Sequence, residues 1–116
     1  MRKAEQFLTA AETIAEILDQ HHDPEINDAY VTLCVHAGIA ASDVACCKRL
    51  GVHAKGPDHA AAIRLLGQVD TQASQQLAVL LGMKEKAGYS ARPVSATDRK
   101  RAMRAATTLV EFAREL

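Results

Sequence analysis

Aromatic side chains are nearly absent from this chain. There is no tryptophan, and Phe7, Tyr30, Tyr89 and Phe112 are the only phenylalanines and tyrosines among 116 residues. That excludes a core built on stacked rings, and it removes the interleaved aromatics on which single-stranded nucleic acid stacks its bases. Sustained alternation of Val, Ile and Thr is also missing, which argues against strands. The three cysteines contain no Cys-x-x-Cys pair. Cys46 and Cys47 are adjacent, and Cys34 lies on the same expected helix about 18 Å away at the helical rise, beyond disulfide reach. Free thiols on an apolar helix point to a reducing, cytoplasmic setting. Glu5, Gln6 and Glu12 interrupt any signal-peptide core after Met1-Arg2-Lys3. No apolar run approaches membrane-spanning length, so no membrane partner is expected. His21, His22, His36 and the cysteines form neither a Glu-x-x-His pair nor zinc-finger spacing, so neither a metal nor another cofactor is expected.

Alanine fills the space the aromatics leave. It is the best helix former, and its small side chain lets helices approach closely. The length is that of one domain, residues 1–116. Apolar positions recur at helical spacing in five stretches. The first, about 3–20, carries Phe7, Leu8, Ala11, Ile14, Ala15 and Leu18 inward. Asp23 then caps, and Pro24 opens, a long helix over about 24–50. This second helix bears two apolar stripes, one from Ile26 and Tyr30 to Cys47 and one through Val31, Val35, Ile39 and Cys46. A helix apolar on two faces is central to a bundle or lies in an oligomer interface. Gly38 in its middle costs about 1 kcal/mol relative to alanine, and close approach of a neighbour explains it. Gly51 stops the helix. A third helix begins near Pro57 and ends near Gln68, a fourth covers about 71–87, and Gly88-Tyr89 to Pro93 reads as a loop. Ser95 to Asp98 resembles a capping box and opens the last helix. The expected fold is all-α, an antiparallel bundle of about five helices.

Charge is zero overall but unevenly placed. Residues 1–47 hold eight acids against two bases, and residues 48–116 hold twelve bases against six acids. Packing across the chain either mixes these into a solvated surface, the reading preferred here, or leaves one basic face.

Polar groups gather around one end of the second helix. Ala40-Ala41-Ser42-Asp43 places an acid among small residues, a Gly51-containing loop leads to His59 at the start of the next helix, and Lys84-Glu85-Lys86-Ala87-Gly88-Tyr89 closes the fourth. In this order, followed by the small and branched residues of Ala102 to Phe112, the chain from about 26 to 116 resembles the HEPN family (higher eukaryotes and prokaryotes nucleotide-binding domains). The resemblance implies a small helical bundle, frequently a homodimer, here through the second helix or its neighbours. Many such domains are ribonucleases of toxin–antitoxin, abortive-infection or CRISPR-type systems, and others are non-catalytic partners of small nucleotidyltransferases. The ribonucleases carry Arg, then four to six intervening residues, then His. Here Arg49 and His53 are separated by three residues, Arg49 and His59 by nine, and no histidine follows Tyr89. The expected function is therefore a binding or regulatory component whose partner is an antitoxin or small nucleotidyltransferase and whose ligand is RNA or a nucleotide. The alternatives are a divergent metal-independent ribonuclease using His59 and Arg49 at a dimer cleft, and a purely structural interaction protein.

The candidate contacts each admit two roles. Asp43 reads first as an internal tether paired with Lys84, Arg49 or a helix end, and second as a group that orients a base or holds a ribose. His59 is a turn-packing residue or a base and phosphate contact at a helix N-terminus, and His53 shares its loop. Lys48, Arg49 and Lys55 cradle phosphate or, for the first two, answer the helix dipole. Tyr89 and Lys84 anchor the end of the fourth helix. Arg99, Lys100, Arg101 and Arg104 form a basic cluster on the last helix, a nucleic-acid contact or a solvated face.

Overall fold

The computed structural model describes residues 1–20, 24–89 and 94–116, with side chains left out at 19, 20, 24, 25, 85, 86, 88 and 89. It is all-α: α1 (Arg2–Gln20), α2 (Pro24–Leu50), α3 (His59–Gly67), α4 (Thr71–Tyr89) and α5 (Ala96–Glu115). The expected Asp23 cap falls outside the described residues. Gly51 ends α2 as expected, in the left-handed conformation at φ 76° that favours glycine, and its N–H donates to the Cys47 carbonyl at 3.0 Å. Two bounds differ from the periodicity. α3 starts at His59 rather than near Pro57, because Asp58 serves as the N-cap and accepts from Ala61 N at 3.0 Å. α4 runs through Gly88 to Tyr89 where a loop was expected. Met83 and Ala87 are buried in the last turns, and such packing offsets the roughly 1 kcal/mol that a helical glycine costs. Ser95 caps α5 by accepting from Asp98 N at 3.0 Å.

α2 is the axis of the bundle. At 27 residues it is about 40 Å long at the helical rise, close to the molecule's longest dimension of 42 Å. α1, α4 and α5 pack on it, and α3 lies mainly against α4. Lateral bonds fix the directions. Asp28 Oδ1, near the start of α2, accepts from Val94 N at 3.1 Å, and Arg99 Nη1 donates to Asn27 Oδ1 at 3.4 Å. Lys48, at the other end of α2, donates to the Ala113 carbonyl at 3.2 Å. α2 and α5 therefore run parallel. Arg114 pairs with Glu5 at 3.1 Å, which sets α1 antiparallel to α5 and places acidic α1 beside a basic helix.

The apolar stripes of α2 are covered by its own bundle. Val31, Cys34, Val35, Ala37, Ala41, Ala45 and Cys46 are buried, together with Leu77 and Leu80 of α4 and Ala102, Ala106, Leu109 and Val110 of α5. Cys47, expected on a stripe, is exposed. A Cβ on Gly38 would overlap Leu80 Cδ1 and stand 3.2 Å from Leu109 Cδ1, so the glycine is where three helices converge. Contrary to the expectation that no apolar run approaches spanning length, Ile26–Leu50 is long and apolar enough to cross a membrane by length and composition. Its buried residues pack against α1, α4 and α5, which is the environment of a core helix.

Candidate functional site

A half-open cavity of about 260 Å³ lies beside the C-terminal half of α2, between that helix, α3, α4 and the loop at 51–58. The helical period explains what α2 sends into it. His36, Ile39 and Asp43 are three, four and seven residues apart, one face over two turns. α4 supplies Leu77, Leu81 and Lys84 at the same kind of spacing, and α3 supplies His59 and Ala62. The loop reaches the rim through Gly56, left-handed at φ 79°, followed by Pro57. Three of the residues singled out in the sequence, Asp43, His59 and Lys84, thus meet at one cavity from three different helices.

Asp43 is half-buried, and burial lifts its carboxyl above the ordinary value of 3.8, against the opposing pull of His53 and Lys3. Among the described residues it forms no hydrogen bond and no ion pair. The tether expected between Asp43 and Lys84, Arg49 or a helix end is therefore not formed. Asp43 and Lys84 face the same space without neutralising each other. His59 is half-buried at the first position of α3. Asp58 beside it is already engaged as the cap of that helix. His36 stacks on Phe7 of α1, with ring centroids 5.3 Å apart and planes inclined at 28°. Sequence reasoning considered His36 only as a metal ligand, and its two-turn spacing from Asp43 was the signal for a shared face.

The remaining candidates lie elsewhere. Lys48 donates to the Ala113 carbonyl near the C-terminal end of α5 and does not line the cavity. Arg49 is exposed at the end of α2 and does not line the cavity. His53 is exposed, its Nδ1 donating to the Ala54 carbonyl at 3.1 Å, and it acts on Asp43 only through its charge. Lys55 is exposed on the loop. The Tyr89 side chain lies outside the described residues. On α5, Lys100, Arg101 and Arg104 are exposed while Arg99 is tied back to Asn27.

The buried thiols of Cys34 and Cys46 are not nucleophile candidates. Burial raises Cys34 to about 12, only partly offset by the Tyr30 hydroxyl. Burial also raises Cys46, which hydrogen-bonds Ser42. Among the described residues no group of three or more His, Cys, Asp or Glu side chains is placed to hold a metal ion. The cavity combines two carboxylates, of which Asp58 also caps α3, with two imidazoles, one ammonium and an apolar wall, an arrangement suited to holding a compact polar molecule. Comparison with family models, with curated proteins and with solved structures yields no match.

Proposed function

We propose that this protein is a non-catalytic binding or regulatory module of HEPN type, with the cavity beside α2 as its ligand site. The observation that carries the reading is the convergence of Asp43, His59 and Lys84, from α2, α3 and α4, on one 260 Å³ space with an apolar wall. Metal-free RNA cleavage through the 2′-hydroxyl calls for a base and a strong cation at one phosphate. Arg49, the cation that a ribonuclease reading assigns to His59, does not line that space. The resemblance of residues 26–116 to HEPN domains supports the biological setting, in which the module works beside an antitoxin or a small nucleotidyltransferase.

The test has two arms on the same preparations. Thermal shift measured with mononucleotides, amino acids and short RNA is expected to find a ligand that stabilises the wild type but not Ala62→Phe, whose added ring fills the cavity. Circular dichroism establishes that the variant is folded. Incubation with RNA is expected to give no cleavage that depends on His59. RNA cleavage lost in His59→Ala identifies an enzyme and overturns the reading, as does a wild type that binds nothing.

A further inference from the structure

The cavity contains one acid and one base that ignore each other. Asp43 has no hydrogen-bond or ion-pair partner among the described residues, and neither has Lys84, yet both line the same 260 Å³. A second carboxylate, Asp58, stands exposed at the rim and accepts from Ala61 N through Oδ1 as the α3 cap. Ile39, Ala62, Leu77 and Leu81 give the same cavity an apolar wall. Charged groups left half-buried and unpaired lose hydration without recovering it from a partner. An anion alone would gain at Lys84 and lose at Asp43, and a cation alone would do the reverse. Only an occupant carrying both characters satisfies both groups.

We infer that the cavity takes a compact molecule that carries both a nitrogen donor or ammonium, held by Asp43, and an acid group, held by Lys84, on an apolar or ring-shaped body against Ile39, Leu77 and Leu81. The inference rests on the proposed reading of this cavity as the ligand site. Size limits the body. At about 260 Å³ the half-open cavity takes a small molecule rather than a chain segment. Two sources share this chemistry: α-amino acids with apolar side chains, and mononucleotides whose base presents N–H donors. The raised titration of Asp43 agrees with a site that is incomplete when empty, because a donor or cation at the carboxylate restores the interaction that burial removes.

Two probe series distinguish the sources and test the shared chemistry by calorimetry on the full chain. The first is tryptophan, tryptamine (no acid) and indole-3-propionate (no amine). The second is guanosine 5′-monophosphate and guanosine (no phosphate). In the series that contains the ligand type, the complete member is expected to bind roughly tenfold or more tightly than its truncated relatives, the usual weight of a charge-assisted hydrogen bond. Asp43→Asn should erase the advantage of the nitrogen end and Lys84→Ala that of the acid end. Equal binding of truncated and complete probes, or an undiminished preference in both variants, overturns the inference. If truncated probes bind as tightly as complete ones and Ala62→Phe abolishes that binding, the inference of a paired acid and nitrogen fails while the cavity stands as a binding site. A wild type that binds no probe in either series overturns both.

Discussion

At Asp43 a tether and a ligand acceptor make opposite predictions about stability. Burial raises the carboxyl in the folded chain above its ordinary 3.8. Between those two values the folded state holds more protons than the unfolded state, so the group's contribution to stability falls as pH rises through that window and stays unfavourable at neutral pH. Asp43→Asn removes the ionisation. Its melting temperature should match or exceed that of the wild type at pH 7, and the difference should shrink towards zero as pH falls to the ordinary carboxyl value. A variant clearly less stable than wild type at pH 7 would restore the tether. Single residues also show what sequence could reveal. Asp43, His59 and Lys84 were recognisable because an acid or base at the edge of an apolar stripe is conspicuous within its own helix. The bond of Lys48 to the Ala113 carbonyl left no trace in the local pattern, because its partner lies 65 positions away. The Asn27 and Asp28 bonds to Arg99 and Val94 went unnoticed for the same reason: no local pattern announces a contact between the starts of two parallel helices.

Among the elements, α2 was the most legible, since its two stripes, Pro24 start and Gly51 stop are all local signals. Gly38 extends the reading from helix to packing. Replacing it by alanine should gain up to about 1 kcal/mol of helix propensity, but the new methyl group would overlap Leu80 Cδ1. Leu80 is fully buried and cannot simply swing into solvent, and Leu109 blocks a second direction at 3.2 Å. Overpacking of a filled core costs about 1–3 kcal/mol, so Gly38→Ala is expected to be destabilising by roughly 1–2 kcal/mol in urea unfolding. The sign comes from the crowding, so Leu80→Val in the same chain should recover part of the loss, making the double variant less destabilised than the sum of the singles. A Gly38→Ala variant more stable than wild type would mean that α4 stands further from α2 than described. α3 is the contrasting element. Its nine residues bury only Leu66, and its order depends on the Asp58 cap and on α4.

For the molecule as a whole, these differences set up a gradient of stability with the cavity at its shallow end. α2 and α5 share the densest part of the core, lie parallel and are bonded at both ends. α3 and the loop at 51–58, which form one wall of the cavity, have few buried groups and mostly exposed or half-buried backbone. Local opening free energies run from near zero in such segments to the global value in the core. Hydrogen exchange should therefore show α3 amides exchanging roughly tenfold or more faster than the central amides of α2 and α5. This asymmetry is also what lets a ligand enter a cavity roofed by the protein's own helix. A molecule held between Asp43 on α2 and His59 and Lys84 on the facing helices bridges the stable and the labile parts. Its binding should slow exchange in α3 and the loop by the factor that occupancy sets, and amides of α2 and α5 that exchange only on global unfolding should slow by no more than that factor. Protection that spares α3 and the loop would place the ligand elsewhere, and protection confined to α1 and α5 would place it in the groove of Glu12, Tyr30 and Glu111. Because the same experiment reports the unliganded gradient and the liganded change, it ties the fold's weakest element to the site that this element closes.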